Sequence, residues 1–302
     1  MSQRHQGRRA ISGVSMKREE LGQPGILAGV PQHGRYLTFG LSTDSGSAIR
    51  AALGVLQPHV NGLDTVIGLG MSTLEALGRA DTALVDFPAL VAGDVVVPST
   101  PAALFLWLRG SDPGELLHRS RACVSAVEAA FELVSTLDSF MYDGGRDLTG
   151  YEDGTENPVG DTAVETAFSP DGGSYLAVQK WVHDLNHFNS LPVGDRDNII
   201  GRRIVDNEEI EEAPESAHVK RTAQEDFEPE AFMLRRSMPW ATGQEAGLMF
   251  VCFANSLNPF NQQMARMVGK DDGIVDGLFR FSRPLTGAFF WCPPVKNGTF
   301  DL

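Results

Sequence analysis

The chain has 302 residues, of which 42% are hydrophobic and 21% are charged, a composition that supports a packed core and excludes a disordered chain. Its formal net charge of −14 disfavours nucleic acids and anionic lipids as partners, because both carry negative phosphates. The length predicts two domains of about 150 residues each.

Cysteine usage and hydropathy indicate the compartment. Cys123, Cys252 and Cys292 are far apart in sequence and form no CxxC pair, which argues against a zinc ribbon or an iron–sulfur site and favours buried thiols in a reducing compartment. The basic N-terminus is not followed by an apolar segment, and no run of about eighteen apolar residues occurs. We therefore predict a cytoplasmic protein with no membrane partner.

The first half of the chain alternates strand and helix patterns. Residues 1–24 are polar and aperiodic, and we expect a flexible or loosely docked arm. A domain at 25–145 follows, and its predicted elements are strands at 35–41, 64–70 and 101–109, helices at 47–60 and from Asp112 to Phe131, and a short helix capped by Ser72 with Glu75 three residues on. This order predicts a split βαβ, ferredoxin-like sandwich.

The second half, 146–302, repeats this theme with strands predicted at 174–182, 247–254 and 287–292 and a helix at 259–268. We predict an α+β fold of two ferredoxin-like α/β-sandwich domains, duplicated split βαβ units with antiparallel sheets. About sixty charge-rich residues separate the first two of these strands, and insertions of this length are usually functional or disordered. Interleaved isoleucine and valine at 199–205 favour an ordered lining.

A polar stretch at the middle of the chain, RDLTGYEDGTENP at 146–158, is the first candidate for a functional site. Gly150, Gly154 and Pro158 punctuate it, which predicts a tight irregular loop. Gly154 follows Asp153 and would let the backbone approach whatever the loop covers. A surface turn between two halves explains the same pattern.

Other polar residues have both a plain and a functional interpretation. His218 is either a hydrogen-bonded surface histidine or a ligand. His183 and His187 are four residues apart, but the segment lacks the glutamate of a zinc-hydrolase helix, so a polar cluster at the end of a strand is favoured. Arg235 is either paired with surface acids or buried opposite a carboxylate, where it would form a site for a polar oxidant or an oxyanion.

Four blocks in order resemble the DyP-type (dye-decolourising) haem peroxidases, in their compact bacterial cytoplasmic branch. GYEDG at 150–154 fits the family's GxxDG signature. IGR at 200–202 with AHVKR at 217–221 resembles its proximal-histidine block, and LRRSMP at 234–239 resembles its distal-arginine block. RFSRPLTG at 280–287 resembles its C-terminal signature.

The resemblance implies one haem b per chain, in the C-terminal half, with its iron bound by His218. It implies that Asp153 is the distal acid–base and Arg235 the distal cation. Asp276 is expected to orient His218 through its other ring nitrogen. The further residues expected around the cofactor are Arg202 (beside a propionate), Gly154, Thr155, Glu156 and Ser237.

The implied activity is reduction of hydrogen peroxide with oxidation of aromatic or dye-like donors. A distal carboxylate can shuttle the peroxide proton, while the arginine stabilises charge as the O–O bond breaks. The alternative is a haem-handling protein that stores, transports or demetallates porphyrin and has incidental peroxidase activity. A third interpretation is an α+β dimer without porphyrin that binds a partner.

Three further expectations concern partners. Bulky donors would not reach an enclosed haem, which raises the alternative of a surface relay of aromatic side chains. The candidates by type are Trp181, Trp240, Trp291 and Tyr151, and packing in the core or at the rim explains each of them at least as well. A homo-oligomer is expected, since sheets of this type expose a face or an edge that needs covering. Relatives packed in encapsulin shells carry a C-terminal extension, and none follows Leu302, so association with a shell is not expected.

Overall fold

A computed structural model describes residues 18–79, 83–296 and 299–300. The helices of the first half are α1 Arg18–Leu21, α2 Pro24–Leu27, α3 Gly46–Leu56, α4 Met71–Ala76 and α5 Pro113–Val127, with a 3₁₀ turn at Gln57–His59. The strands of the first half are β1 His33–Leu41, β2 Thr65–Leu69, β3 Leu90–Ala92, β4 Val95–Val97, β5 Leu104–Gly110 and β6 Phe131–Phe140.

The second half begins with the loop at 146–158. Its helices are α6 Gly160–Ala167, α7 Leu185–Ser190, α8 Val193–Ile200, α9 His218–Arg221 and α10 Asn258–Met267, with 3₁₀ turns at Gln224–Asp226 and Gly277–Arg280. Its strands are β7 Ser174–His183, β8 Leu234–Arg235, β9 Met238–Thr242, β10 Glu245–Ala254, β11 Ser282–Pro284, β12 Ala288–Cys292, β13 Val295–Lys296 and β14 Thr299–Phe300.

The sheet of the first half has the strand order β6-β1-β5-β2, and every pair in it is antiparallel. Helices α3 and α5 pack against each other and α5 packs on β5. Helix α3 buries Ile49, Leu53 and Leu56, which share one helical face, in the core beneath the sheet. The β1-α3-β2 and β5-α5-β6 units therefore form the predicted ferredoxin-like sandwich.

The sheet of the second half has the order β12-β7-β10-β8, again antiparallel, with β9 also paired to β10 and β11 to β7. When the four strands of each of these two orders are numbered along the chain, both sheets follow the pattern fourth, first, third, second. The predicted duplicated α+β fold is confirmed by this shared strand order.

The two sheets meet where β12 pairs with β2 at one register position, Trp291 opposite Leu69. Ten strands thereby form one sheet. Among the helices within residues 18–79, 83–296 and 299–300, none is long and apolar enough to cross a membrane.

Two local predictions were wrong. Ser72 does not cap α4, because the helix begins one residue earlier with Gly70 at the N-cap. A side chain at residue 70 would put its Cβ 1.7 Å from the carbonyl oxygen of Ala102, so the close approach requires glycine. The helix predicted to reach Phe131 ends at Val127, and Phe131 instead begins β6.

Residues 1–17 of the predicted arm, 1–24, lie outside the described residues. Its last part is packed rather than loose. Gln23 is fully buried, its amide nitrogen donates to the carbonyls of Ile67 and Pro293, and its amide oxygen accepts from the backbone nitrogen of Ile67. These bonds tie the segment before α2 to both halves of the protein.

Candidate functional site

A crevice in the second half has its floor on β7. Successive side chains of a strand point to opposite faces, so Gln179, Trp181 and His183 share one face, and all three line the crevice. The indole nitrogen of Trp181 donates to the amide oxygen of Gln179 at 3.1 Å. The amide nitrogen of Gln179 is buried and has no partner among the described residues.

The crevice walls are apolar. Helix α10 contributes side chains at helical spacing, which are Phe260, Gln263, Met264 and Met267. Strand β10 contributes two alternate residues, Leu248 and Phe250. Met233 and Leu278 complete this lining. The crevice comprises two adjoining cavities, which share Asp153, His218, Thr222 and Arg235.

His183 ends β7 in a polar cluster, as predicted. Its Nδ1 lies 2.7 Å from the hydroxyl of Ser282, and its Nε2 lies 3.3 Å from Oδ2 of Asp147. Burial opposes ionisation of Asp147, but the hydrogen bonds from His183 and Thr149 outweigh it and hold the pKa of this carboxyl below its ordinary value. The cluster anchors the start of the 146–158 loop to β7, while His187 is exposed.

The loop at 146–158 carries Asp153 to the crevice. Gly150 and Gly154 have positive φ angles of 91° and 77°, which favour glycine. Asp153 is half-buried and lines both cavities, and it also lines a third cavity that includes Ser237 and Arg235. The irregular loop predicted from sequence is therefore present and faces a crevice.

Asn157 joins this loop to the strand that bears Arg235. Its amide oxygen accepts from the backbone nitrogen of Arg235 at 2.8 Å, and its amide nitrogen donates to the carbonyl of the same residue at 3.0 Å. A Cβ at Gly154 would lie 2.7 Å from the Asn157 amide nitrogen, so the glycine leaves room for this contact. Gln224 makes a second link, because its amide nitrogen donates to the carbonyl of Glu156 and its amide oxygen accepts from the backbone nitrogen of Met233. The elements bearing Asp153 and Arg235 thus form one hydrogen-bonded unit.

Replacing Asn157 with alanine is expected to lower the free energy of unfolding by about 1–3 kcal/mol, since the backbone nitrogen and the carbonyl of Arg235 each lose a partly buried hydrogen bond, although the carbonyl still accepts from Arg236. Urea denaturation of the purified protein measures this change. Asn198 is exposed on α8, so its replacement by alanine should change stability by no more than about 0.5 kcal/mol. Equal effects of the two substitutions would contradict a joining role for Asn157.

His218 is the first residue of α9 and lines both cavities. Its Nδ1 lies 2.8 Å from Oδ2 of Asp276, a carboxylate whose side chain is fully buried. The other oxygen of Asp276 accepts from the backbone nitrogen of Leu278. No described residue hydrogen-bonds Nε2 of His218, so the ring presents that nitrogen for a ligand while the carboxylate fixes its orientation.

Arg221 holds the other end of α9. Its guanidinium donates to both carboxylate oxygens of Asp272, at 2.7 and 2.9 Å, and to the carbonyl of Arg266 near the end of α10. The hydrogen bonds from Arg221 lower the pKa of Asp272 to about 2. The ion pair therefore contributes to stability above the ordinary aspartate pKa, and the contribution is lost as the pH falls through about 2. At neutral pH these bonds tie the last residue of α9 to the end of α10 and to the segment that follows it.

Arg235 is the last residue of β8 and lines all three cavities. Its Nε is buried and has no hydrogen-bond partner in the described part of the chain. Because an unpaired buried donor is costly, this nitrogen indicates a polar ligand or water in the crevice. The alternative that Arg235 is paired with surface acids is not supported, since no carboxylate of a described residue contacts its guanidinium.

The remaining predicted residues lie at the rim. Arg202 donates to Glu156 at 2.7 Å and to Glu209 at 3.2 Å, so its guanidinium already has two carboxylate partners. Thr155 accepts from the side chain of Asn207. Gly154, Thr155, Glu156 and Arg202 line the second cavity, whereas Ser237 lies in the third and accepts weakly from the backbone nitrogen of Val251 at 3.4 Å.

The fold thus brings His218, Asp153 and Arg235 to one crevice, although 82 positions separate the first and last of them along the chain (235 − 153). Gln179 was not predicted as a site residue. The alternation of the 174–182 strand gave a signal for it, because the same face carries Trp181 and His183. The alternation does not reveal which face a crevice covers.

Comparison with known proteins identifies relatives. Residues 144–297 match the family model described as Dyp-type peroxidase, C-terminal. A dye-decolorizing peroxidase of Rhodococcus erythropolis is 30% identical over 261 residues, which cover 82% of this chain and 76% of the relative.

Solved structures agree. A putative DyP-type peroxidase from Shewanella oneidensis has a TM-score of 0.85 at 31% identity, covering 92% of this chain and 96% of the other. A variant of DypB from Rhodococcus jostii RHA1, solved in complex with heme, has a TM-score of 0.80 at 26% identity, covering 89% of this chain and 94% of the other.

Proposed function

This chain belongs to the DyP-type peroxidase family and is a peroxidase, and on that premise we propose that it binds one haem b in the crevice and uses hydrogen peroxide to oxidise aromatic or dye-like donors. The observation that carries the proposal is the meeting of His218, Asp153 and Arg235 at a single crevice with apolar walls. A cytoplasmic location and a homo-oligomeric state remain predictions from the sequence.

The residues present fit a haem. A flat apolar macrocycle suits walls made by methionine, leucine and phenylalanine side chains. A histidine whose other ring nitrogen is bound by a buried carboxylate is the usual arrangement for a metal ligand. The buried Nε of Arg235 and amide nitrogen of Gln179, both without described partners, supply donors for polar groups bound in the crevice.

His218 would bind the iron through Nε2 as a neutral imidazole, and Asp276 would hold the ring by accepting from Nδ1–H. Arg202 lies at the rim of the same crevice and would pair with a propionate in exchange for one of its two glutamate partners. Gly154, Thr155 and Glu156 would border the cofactor on that side. Haem, when bound, supplies the iron that takes up peroxide and retains its oxidising equivalents.

Asp153 would take a proton from one peroxide oxygen and return it to the other. Arg235 would donate hydrogen bonds to the oxygen on which negative charge develops, from a position fixed in advance by Asn157. Ser237 borders the third cavity with both of these residues and would hydrogen-bond peroxide or water there. The apolar walls exclude bulk water and so strengthen these interactions.

Optical spectroscopy of the purified protein tests the proposal. After reconstitution we expect a Soret band that corresponds to one haem per chain and that changes rapidly on addition of hydrogen peroxide. Stoichiometric haem with no response to peroxide would support the haem-handling alternative. Failure to retain haem at all would overturn the assignment of the crevice.

A further inference from the structure

His183 is the middle of a buried chain of three hydrogen-bonded side chains. Ser282 lies directly opposite it where β11 pairs with β7, and the serine hydroxyl lies 2.7 Å from Nδ1 of the ring. On the other side of the ring, Oδ2 of Asp147 lies 3.3 Å from Nε2. The His183 side chain is 7% exposed and Ser282 is 3% exposed. Both ring nitrogens therefore have a protein partner and little access to bulk water.

The carboxylate decides which atoms of this chain carry protons. Burial opposes ionisation of Asp147, but the hydrogen bonds from His183 and Thr149 hold its pKa below its ordinary value. At neutral pH the group is therefore a carboxylate, which can only accept, so Nε2 of His183 must donate to it. A neutral ring then has no proton on Nδ1, and Nδ1 must accept from the hydroxyl of Ser282.

A proton added to His183 reverses one of these bonds. The charged ring donates from both nitrogens, so Nδ1–H points at the oxygen of Ser282 and the serine proton is released for another acceptor. The carboxylate of Asp147 stabilises the positive ring. Because Ser282 lines the crevice, its freed O–H is available to an oxygen atom bound there.

The pair of His183 and Ser282 lies between the crevice and the outer surface. Both residues line the crevice, and both also line a depression on the surface. The charged residues of the depression are the exposed Asp184, Arg280 and Arg283, and the ionisable residues of the crevice are Asp153, His218 and Arg235. None of these six hydrogen-bonds the His183 ring, so Asp147 is the only ionisable partner of the ring among the described residues.

Reduction of hydrogen peroxide requires a supply of protons. Conversion of one peroxide to two waters consumes two electrons and two protons. The proton that Asp153 would move comes from the peroxide itself, so it adds nothing to this total. Two further protons must therefore reach the crevice in each turnover, a requirement that rests on the proposed function.

We propose that Asp147, His183 and Ser282 form a proton relay that supplies the crevice during the reduction of peroxide. The O–H bond of Ser282 breaks as its proton passes to an oxygen in the crevice, and the Nδ1–H bond of His183 breaks as that proton replaces it on Ser282. The ring is left neutral, with its remaining proton on Nε2 beside Asp147. A proton from solvent in the depression then binds the Ser282 oxygen as the hydroxyl proton returns to Nδ1, and the relay is reloaded.

The order of the hydrogen bonds can be tested in the haem-free protein. In proton–nitrogen correlation spectra of the imidazole rings, the signal that is absent from His183→Gln identifies His183. We expect the neutral ring to carry its proton on Nε2 and to gain a second proton at Nδ1 on acidification. A neutral ring protonated at Nδ1, or a ring that stays neutral until the protein unfolds, would overturn the proposal.

Two rates in the haem-loaded protein separate proton supply from anchoring of the loop. Ser282→Ala removes the hydroxyl and leaves Asp147 and His183 in place. Steady-state turnover with peroxide and an aromatic donor should therefore fall by at least about 100-fold, the lower end of what a positioned proton donor contributes. The rate of reaction with peroxide alone, measured by stopped flow, should fall by no more than a factor of a few, because Asp153 acts in that step. Ser282→Thr keeps a hydroxyl and should restore turnover, and Ser135→Ala, at an exposed serine of β6, is the matched control.

The pH profile of turnover gives a further readout. Turnover of the unchanged protein should fall with rising pH as His183 loses its proton. His183→Gln can still donate to Asp147 through its amide but cannot take up a proton, so its profile should lack this inflection. Full turnover in Ser282→Ala, or equal losses in its two rates, would overturn the relay while leaving the proposed function intact. An unchanged protein that does not react with peroxide would overturn the proposed function and this inference together.

Discussion

Replacement of His218 with alanine is expected to lower the affinity for haem by more than about 100-fold, since even the carboxylate partners of metal-bound histidines are worth roughly 10–100-fold in affinity. The structure places this imidazole at the crevice, and the 2.8 Å contact with Asp276 fixes its orientation. Titration of haem into each purified variant, followed at the Soret band, measures the loss.

Controls distinguish ligation from general damage. His187 is exposed on α7, so His187→Ala should bind haem as the unchanged protein does. Free imidazole should restore a histidine-like spectrum to His218→Ala by entering the space that the ring leaves. Asp276→Asn should lose about 10–100-fold in affinity. An unchanged histidine-ligated spectrum in His218→Ala would show that another residue binds the iron.

Asp153→Asn should slow the reaction with peroxide by about 100- to 10,000-fold, because an amide cannot accept and return the peroxide proton. Haem affinity should remain within a factor of a few, since Asn157 and Gln224 hold the loop through other residues. Stopped-flow mixing with peroxide measures the rate. Asp161 is an exposed aspartate in the first turn of α6, and Asp161→Asn should leave the rate unchanged.

Arg235→Leu is expected to lower the rate of the reaction with peroxide by about 100- to 1,000-fold, because the guanidinium no longer stabilises the negative charge that develops on the oxygen. The double variant then shows how the two residues act. Because Asn157 joins their elements into one unit, we expect the double variant to lose much less than the product of the two single effects. Full peroxide reactivity in both single variants would overturn the roles proposed for Asp153 and Arg235.

Much of the fold could be predicted from local patterns. Asp112 is followed by Pro113 and, three residues on, by Glu115, and its side chain caps α5 by accepting from the Glu115 backbone nitrogen at 2.7 Å. Strand β6 was not predicted, because most of its side chains are exposed and its pattern lacks the apolar alternation of a half-buried strand. The cap at Gly70 depends on the approach of residue 102, which no local pattern reveals.

The site could be assembled from sequence only through resemblance to a family. Residue type and spacing did not decide between a functional role and an ordinary surface role for His218 and Arg235, because their partners are distant in sequence. Asp276 lies 58 positions from His218. The pairing of Arg202 with two glutamates was also outside the reach of pattern reasoning, since it depends on how the loop folds over the charge-rich segment.

The junction between the two sheets has a consequence for how the protein can be divided. Strand β12 is the closing strand of the second half, yet its outer edge faces β2 of the first half. Its sequence, AFFWC, is aromatic throughout its middle and fully buried. A fragment starting at residue 146 would expose that edge as a template for pairing with other copies. We therefore expect the second half to depend on the first half for solubility, because the first half covers this edge, and the two halves should be expressed and engineered as one piece.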